Sequence, residues 1–288
     1  MRVASSPQEL GAGHRTVAIG TFDGVHVGHR RVIEAALAAG PQATVVTFDP
    51  HPRVALGHRV ELITTLERRL ELLESLGVGE TLVVPFTPDF SLMSPEEFAR
   101  TVLEPLGARV VVAGVNFRFG RGRSGDIDTL ESLGFDARPV PFVEGVSSSR
   151  IRQLVHAGEV GGAAALLGRP AEVEGTVVAG DARGGTLGFP TANLAAPPDL
   201  LVPPFGIYAG EALGRRAAVS IGVNPHYGGE ERRIEAFLLD YVGDLYGRRL
   251  VVEIWDRLRD ERAFDSEEDL IEQIGRDVEA TRAAVRPV

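Results

Sequence analysis

Apolar runs in the first half of the chain alternate with amphipathic stretches. Short runs rich in β-branched residues lie at positions 16–19, 43–48, 81–84, 109–113 and 138–142. Between them, the leucines of residues 64–76 recur at helical spacing, and Ser94 followed by Pro95 has the sequence of a helix N-terminus. Strands that are apolar throughout and alternate with helices are typical of a parallel sheet covered on both faces. The pattern predicts an α/β fold from about residue 16 to residue 157.

The pattern changes after Pro170. Strand-like runs follow without helices between them, at positions 173–179, 207–212, 216–221, 234–241 and 250–258. Turn residues separate these runs at intervals suited to an antiparallel barrel, and one amphipathic helix, residues 266–284, follows them. The 288 residues are enough for two cores. We therefore predict a Rossmann-like domain with a parallel sheet over residues 1–169, and a β-barrel domain with a C-terminal helix over residues 170–288.

The amino-acid composition excludes several classes of function and chemistry. The net charge of −10 argues against broad nucleic-acid binding, which needs a basic face. Cysteine is absent, which excludes disulfides, thiolate catalysis and cysteine-ligated zinc. The chain has arginine but no lysine, which excludes a Walker A loop, a protein kinase and a pyridoxal enzyme. No apolar stretch has the length of a signal peptide or a membrane span. We expect a cytoplasmic monomer or weak homo-oligomer that acts on small molecules, without nucleic-acid or membrane partners.

Residues 18–29 carry the clearest chemical signal. An apolar strand runs into a glycine-bearing turn and then into an amphipathic stretch. His26 and His29 are three residues apart, so they share one face if the helix has begun by then. A helix N-terminus suits a phosphate, and Gly24 and Gly28 remove side chains where a phosphate chain would approach the backbone. The segment predicts a site for nucleotide phosphates, whereas a single histidine at this place would be interpreted as a capping or surface residue.

Three further segments are expected near the same sheet edge. Residues 47–52 end the second apolar run, and residues 112–120 carry Asn116 within Gly-Val-Asn-Phe-Arg-Phe-Gly. The two phenylalanines of this segment fit either stacking on a flat ring or packing in the core. The serines and arginines of residues 146–152 stand at a predicted helix start, where they fit either a second anion site or plain N-capping.

The second half of the chain contains a glycine-rich loop that leads into Pro190-Thr191-Ala192-Asn193. Threonine and asparagine offer neutral oxygen atoms to a hard cation, which fits Mg²⁺ shared with nucleotide phosphates. Glu235 lies within a predicted apolar strand, so it is either on the solvated face or functional. A kinase that acts on a hydroxyl benefits from such a carboxylate as a base or an orienting group.

Both motif sets resemble those of known families. The first resembles the His-x-Gly-His signature of the nucleotidyltransferases in the Phe-Asp-Gly form of the FAD synthetase branch: Gly20 to His29 read Gly-Thr-Phe-Asp-Gly-Val-His-Val-Gly-His. The loop that ends in Asn193 resembles the riboflavin kinase signature. From about residue 16 to residue 285 the chain is similar to bifunctional riboflavin kinase/FAD synthetases. The resemblance implies that the barrel phosphorylates riboflavin with ATP and Mg²⁺, and that the α/β domain joins FMN to the adenylyl group of a second ATP.

The resemblance also implies roles for single residues. His26 and His29 would neutralise the triphosphate and stabilise charge at the α-phosphorus, and Glu235 would be the general base of the kinase. Asn116 would help to hold ATP and flavin. The other residues implied to bind ATP or its phosphates in the adenylyltransferase site are Gly20, Phe22, Asp23, Gly28, Ser148, Ser149 and Arg152. Those implied to bind flavin and ATP in the kinase site are Gly180, Arg183, Gly188, Pro190, Thr191 and Asn193, with Thr191 and Asn193 also holding the metal.

Three positions depart from the family pattern. Asn116 stands where relatives often carry aspartate, Gly185 where they commonly carry a basic residue, and His226 where threonine is commoner. The last two leave one alternative open, a single-function FAD synthetase whose barrel binds flavin without phosphorylating it. A separate alternative is a non-catalytic flavin-binding regulator, although simple binding would not require His26, His29, Thr191, Asn193 and Glu235. A nucleotidyltransferase for another phosphate-bearing substrate, such as pantetheine phosphate or nicotinate mononucleotide, would leave the Pro-Thr-Ala-Asn motif unexplained.

Overall fold

The computed structural model describes residues 1–11, 13–40, 42–180, 189–223 and 232–288. The chain forms two compact units, Met1–Ser148 and Ser149–Val288. The predicted boundary between residues 169 and 170 stays a prediction.

A parallel sheet forms the centre of the first unit. Among the described residues it has six strands: β1 (Arg2–Ala4), β2 (Arg15–Ile19), β3 (Ala43–Asp49), β4 (Glu80–Pro85), β5 (Ala108–Gly114) and β6 (Asp136–Val140). Their order is β1-β4-β3-β2-β5-β6, and every neighbouring pair is parallel. The predicted Rossmann-like α/β fold is confirmed. The sequence pattern does not reveal β1, because three residues are too few to show a period.

Helices connect these strands. They are α1 (Pro7–Leu10), α2 (Val27–Ala39), α3 (Pro52–Ala55), α4 (Leu66–Ser75), α5 (Pro88–Ser91), α6 (Pro95–Phe98), α7 (Glu104–Leu106) and α8 (Ile127–Ser132), with a π-helical turn, Ala99–Leu103, between α6 and α7. Ser94 caps α6, because its Oγ accepts a hydrogen bond from the backbone N–H of Glu97 at 3.2 Å. The Glu97 carboxylate in turn accepts from the backbone N–H of Ser94 at 2.9 Å. The predicted start of this helix is confirmed.

Both faces of the sheet are buried around β2. Val17 and Ile19 pack into the hydrophobic cluster on one face, and Ala18 packs into the cluster on the other. Helix α2 covers the second face with Val32 and Ile33. Burial of an aliphatic side chain contributes about 1.5–3 kcal/mol. Strand β2 is therefore held from both sides, and the turn that follows it starts from a fixed point.

Antiparallel strands close into a barrel in the second unit. Helices α9 (Ser148–His156) and α10 (Val160–Leu167) precede it, and α11 (Glu267–Ala283) follows it. In the described part of the chain the barrel strands are β7 (Ala171–Val178), β8 (Ala192–Ala195), β9 (Gly206–Ala212), β10 (Arg215–Val223), β11 (Arg232–Leu238) and β12 (Arg249–Arg259), in the order β10-β11-β8-β7-β12-β9. The predicted barrel with a C-terminal helix is confirmed.

The two faces of β11 differ in burial. Ile234 and Ala236 are buried in the barrel core, whereas Arg233 and Glu235 lie on the opposite, partly exposed face. The strand ends at Leu238 and not at the predicted residue 241, because the chain turns directly afterwards, with Asp240 at a φ of 57°. The four residues of β8 lie within the predicted binding motif and its following loop, and are too few to show a strand period.

Candidate active sites

The turn after β2 lies at a switch point of the parallel sheet. From β2 the chain proceeds to β3 and β4 on one side, and later to β5 and β6 on the other. Ligands of open parallel sheets bind in the crevice outside the carboxyl ends of the strands at such a point. His26 follows β2 and Asn116 follows β5, the two strands that flank the switch point. The segments that carry His26 and Asn116 therefore follow neighbouring strands, and the convergence of all the predicted segments on one nucleotide site stays a prediction.

Asp23 fixes the turn between β2 and α2. Its carboxylate is buried, and its Oδ1 accepts hydrogen bonds from the backbone N–H groups of Ile63 and Thr64 at 3.0 and 3.1 Å. Gly24 has a φ of +83°, and a Cβ there would come within 2.8 Å of the Ile63 side chain, so the turn requires glycine. Phe22 also adopts a left-handed conformation, with a φ of 50°. Asp23 thus maintains the shape of the turn, and its contact with a nucleotide stays a prediction.

The two histidines stack at the start of α2. His26 is the N-cap residue, and its Nδ1 accepts a hydrogen bond from the backbone N–H of His29 at 3.2 Å. The imidazole centroids are 3.6 Å apart and the rings lie within 14° of parallel. The Phe22 ring meets His29 edge-on at 5.3 Å. A Cβ on Gly28 would lie 3.2 Å from the His26 ring, and one on Gly20 would lie 3.1 Å from the Phe22 ring. The predicted placement of the histidines on one face is confirmed.

The packing around Gly24 and Gly28 explains the absence of side chains at these positions differently from the prediction, which invoked a bound phosphate chain. Gly24 makes room for Ile63 and Gly28 for the His26 ring. Gly24 is therefore needed for the protein's own structure, and a side chain at position 28 would press against the His26 ring. Close approach of a phosphate chain at these glycines stays a prediction.

His29 is held in its neutral form. Burial lowers the pKa of its imidazole well below the usual value of 6.5, and the charges of His26 and Arg69 lower it further. Its Nδ1 is buried and has no hydrogen-bond partner among the described residues. A neutral imidazole does not offset phosphate charge. The predicted neutralisation of a triphosphate therefore requires that the triphosphate itself first raise this pKa.

A buried arginine lies beneath the turn. Arg69 of α4 is 0 % exposed, and its Nη1 donates to the carbonyl oxygens of Thr21 and Phe48 at 3.0 Å each. Thr21 follows β2 and Phe48 belongs to β3, so one guanidinium joins the ends of two neighbouring strands. The sequence analysis missed this residue. A signal was present, because helical spacing places Arg69 on the same face as Leu72 and Leu73, which are buried.

The remaining predicted residues of this site are divided between the two units. Asn116 is exposed after β5. The Ser148 hydroxyl donates to the backbone oxygen of Asp23 at 3.3 Å, so it contacts the same turn. Ser149 and Arg152 belong to the second unit, and their part in a phosphate site stays a prediction.

Of the two interpretations of the phenylalanines after β5, stacking on a ligand or packing in the core, the structure supports packing in the core. Phe119 is buried in the hydrophobic cluster, and Phe117 packs against that cluster while remaining partly exposed. Their rings stack with centroids 5.5 Å apart. Phe119 therefore supports the fold at this strand end.

Thr191, Asn193 and Glu235 come together on the partly exposed face of the barrel. Asn193 of β8 lies directly opposite Glu235 of β11 in the antiparallel register. The Thr191 hydroxyl donates to Glu235 Oε2 at 3.2 Å, and Arg233 pairs with Oε1 at 3.1 Å. The Glu235 side chain is 26 % exposed. Glu235 is thus on the solvated face, and this is also the face that holds the two motif residues.

The oxygen atoms of this cluster fit Mg²⁺. Asn193 Oδ1 is buried and has no hydrogen-bond partner within the described ranges. A buried acceptor without a donor is costly, so a cation beside it would remove the penalty. Together with the Thr191 hydroxyl and the Glu235 carboxylate, it offers the oxygen ligands that Mg²⁺ prefers. A Cβ on Gly180 would overlap the Asn193 amide, so glycine lets the chain pass close to it.

Part of the predicted kinase site lies outside the described residues. Arg183 and Gly188 are among these positions, as are Gly185 and His226, the two departures from the family pattern. Pro190 is exposed, one residue before Thr191.

In the part of the chain that the structure describes, no helix is both long enough and apolar enough to cross a membrane.

Both units match known families. A family model of FAD synthetase matches residues 11–149, and one of riboflavin kinase matches residues 167–285. A bifunctional riboflavin kinase/FMN adenylyltransferase from Listeria monocytogenes is 37% identical over 292 aligned residues, covering 94% of this chain and 92% of that relative. The protein of the same description from Bacillus subtilis is 36% identical and covers 91% of this chain and 89% of that relative.

A solved structure agrees with the fold of the whole chain. It is described as a macrolide-efflux protein from Streptococcus pneumoniae and is 33% identical, with a TM-score of 0.86. The match covers 97% of this chain and 98% of that one. The efflux function belongs to the description of that protein and is not carried over. The chain belongs to the family of bifunctional riboflavin kinase/FMN adenylyltransferases and is an enzyme with both activities.

Proposed function

We propose that the barrel forms FMN from riboflavin at Thr191, Asn193 and Glu235, and that the turn bearing His26 and His29 serves the conversion of FMN to FAD. The observation that carries the proposal is the hydrogen bond from Thr191, directly before β8, to Glu235 of β11. It unites two motifs that are distant in the sequence, in a chain whose other unit carries the stacked histidines.

We also propose that the enzyme acts in the cytoplasm, as a monomer or weak homo-oligomer.

In the kinase step, a hydroxyl oxygen of riboflavin attacks the γ-phosphorus of ATP, and ADP leaves. Glu235 accepts the hydroxyl proton, and the Thr191 hydroxyl holds the carboxylate in position. Asn193 and Thr191 would hold Mg²⁺, which neutralises phosphate charge when bound. Gly180 and Pro190 would bind flavin and ATP, and the same role for Arg183 and Gly188, which lie outside the described residues, stays a prediction.

In the adenylyl step, an oxygen of the FMN phosphate attacks the α-phosphorus of ATP, and pyrophosphate leaves. The N-terminus of α2 offers unpaired N–H groups and a partial positive charge to the triphosphate. As the triphosphate approaches, it raises the pKa of His29, and a proton taken up from solution makes the stacked pair cationic. Ser148, Ser149 and Arg152 bind phosphates, and Asn116 holds the ATP–flavin assembly. The protein contributes position and electrostatics, so no covalent intermediate is needed.

Chromatography of flavins tests the proposal. Purified protein is incubated with riboflavin, ATP and Mg²⁺, and a parallel reaction starts from FMN. We expect FMN and then FAD from riboflavin, and FAD directly from FMN. FAD from FMN alone would support the single-function alternative, and no product in either reaction would support a non-catalytic regulator.

The Mg²⁺ assignment has its own test. Asn193→Ala removes the buried oxygen without touching the α/β unit. We expect it to raise the Mg²⁺ concentration needed for half-maximal FMN formation by about tenfold, while FAD formation from FMN keeps its Mg²⁺ dependence. An unchanged Mg²⁺ dependence of FMN formation would exclude Asn193 as a ligand.

A further inference from the structure

We propose that Arg69 is a positioning residue for adenylyl transfer, which joins the ends of β2 and β3 and places a permanent positive charge behind the paired imidazoles of His26 and His29. The inference rests on the function proposed above for these histidines. No sequence motif singled out Arg69, and it would not touch the reacting atoms.

The hydrogen bonds of Arg69 show how it positions the turn. Besides the carbonyl oxygens of Thr21 and Phe48, its Nη1 reaches Thr47 Oγ1 at 3.2 Å. The Thr47 hydroxyl in turn donates to the Thr21 carbonyl oxygen at 3.0 Å. Thr21 is therefore held from two directions, five residues before His26. A shift of Thr21 would move the turn and, with it, the start of α2.

Two nitrogen atoms of the guanidinium take no part in these hydrogen bonds, which indicates that Arg69 does more than connect the two strand ends. Arg69 Nε and Nη2 are buried and have no hydrogen-bond partner among the described residues. Unpaired buried donors on a charged group are costly, and an uncharged side chain able to reach the same acceptors would avoid much of that cost. Burial lowers the pKa of the Arg69 guanidinium, while Asp23 and Asp49 face it and stabilise its charge through space. An arginine remains charged at neutral pH even so.

The charge acts on His29. The titratable groups that face this imidazole are His26, which stacks on it, and Arg69 of α4, and both lower its pKa. Asp23 and Asp49 face Arg69 from the turn and from the end of β3. Burial is the main cause of the lowered pKa of His29, and the charge of Arg69 lowers it further. In a chain without lysine, Arg69 also supplies a fixed cation behind the phosphate site.

Three full-length variants test the inference. Arg69→Gln keeps amide donors but removes the charge, Arg69→Lys keeps the charge, and Arg68→Gln is the matched control. Arg68 is the neighbouring arginine of α4, is partly exposed and pairs with Glu71 at 2.7 Å. Histidine ring protons followed by NMR give the titration midpoint of His29, assigned with His29→Ala. Flavin chromatography gives FAD formation from FMN, and FMN formation from riboflavin reports an intact second unit.

We expect the His29 midpoint to rise by about one pH unit in Arg69→Gln and to stay near the wild-type value in Arg69→Lys and Arg68→Gln. FAD formation falls by about tenfold or more in kcat in Arg69→Gln, recovers in part in Arg69→Lys, and is unchanged in Arg68→Gln. FMN formation is unchanged in all three. The His29 titration midpoint distinguishes an electrostatic role of Arg69 from a merely structural one. Loose packing alone would not make the midpoint depend on the charge of residue 69.

Several results would overturn the inference. One is a His29 midpoint in folded Arg69→Gln that equals the wild-type midpoint. Another is a His29 midpoint that shifts in Arg69→Lys, although this variant keeps the charge. This second result would overturn the inference even if Arg69→Gln does not fold. A shifted midpoint with unchanged FAD formation would refute a role in transfer. If His29→Ala itself retained FAD formation, the proposed function would fail instead, and the titration would still report on Arg69.

Discussion

The two proposed active sites differ in what brings their residues together. In the α/β unit, His26 and His29 follow a strand end, and a turn with left-handed residues, a buried aspartate and a buried arginine sets their position. In the barrel, the strand register alone places Asn193 opposite Glu235. The first site therefore depends on hydrogen bonds that surround the turn, and the second on the pairing of two strands. A substitution next to the first site is expected to have wider effects than one next to the second.

The sites also differ in charge. The proposed adenylyltransferase site combines a neutral histidine with a buried guanidinium, which would let it gain positive charge when a triphosphate arrives. The proposed kinase site presents a carboxylate and neutral oxygens, which suit a cation between protein and phosphate. Both solutions deal with phosphate charge in a protein of net charge −10.

The largest effect is expected from Glu235→Gln. It removes the proposed base while keeping a similar shape, so FMN formation should fall by about 10²–10⁴-fold. FAD formation from FMN should be unchanged, and flavin chromatography measures both rates. Glu211→Gln is the matched control, because Glu211 is a partly exposed carboxylate in strand β9 of the same barrel. Equal losses of FMN formation in the two variants would contradict the role of Glu235.

Asp23→Ala tests the claim that the first site depends on its surrounding hydrogen bonds. It leaves the buried N–H groups of Ile63 and Thr64 without an acceptor, which should lower the unfolding free energy of the first unit by about 2–4 kcal/mol. Hydrogen exchange of peptides from residues 15–114 reports this unit. Fluorescence of Trp255, the one tryptophan of the chain, reports the second unit and should be unaffected.

The control for that experiment is Asp128→Ala, an exposed aspartate of α8 in the same unit. We expect it to change the stability of the first unit by no more than about 0.5 kcal/mol. Similar destabilisation by both substitutions would mean that Asp23 is an ordinary surface carboxylate, contrary to its burial.

The neutral state of His29 predicts a pH dependence of stability. Because folding lowers its pKa, the unfolded chain binds a proton below about pH 6.5 that the folded chain does not bind. The stability contributed by His29 is therefore greatest above that pH and falls as the pH is lowered, by up to about 1.4 kcal/mol per pH unit. His29→Gln should flatten this slope when unfolding of the first unit is followed in urea between pH 7.5 and 5.5. Parallel slopes in the two proteins would contradict a neutral His29.

The smallest effect is expected from Ser94→Ala. It removes the N-cap of α6, outside the residues assigned to either site, and should destabilise the first unit by about 1 kcal/mol. Both activities should keep their wild-type rates at 25 °C. A loss of FAD formation in the folded variant would show that the site depends on more of the unit than the turn and Arg69.

The sequence predicts much of the fold and the position of the first histidine pair. The strand–helix alternation, the capping sequence at Ser94 and the barrel pattern after Pro170 are local signals, and the structure agrees with them. His26 and His29 are recognisable because the motif itself spans the end of a strand and the start of a helix.

The rest depends on contacts between residues that are distant in the sequence. Helical spacing places Arg69 on the buried face of α4, but it does not show that the guanidinium reaches the carbonyl oxygens at the ends of β2 and β3. The pairing of Asn193 with Glu235 depends on the strand order of the barrel, in which β8 lies beside β11. Turn and helix signals do not specify such an order.

A mixing experiment tests most directly that the two activities are carried by separate sets of residues. His29→Ala and Glu235→Gln are each incubated with riboflavin, ATP and Mg²⁺, alone and in an equimolar mixture, and the flavins are separated by chromatography. We predict that His29→Ala alone stops at FMN, that Glu235→Gln alone leaves riboflavin unchanged, and that the mixture forms FAD. FAD from His29→Ala alone, or a mixture of folded variants that forms none, would contradict the account.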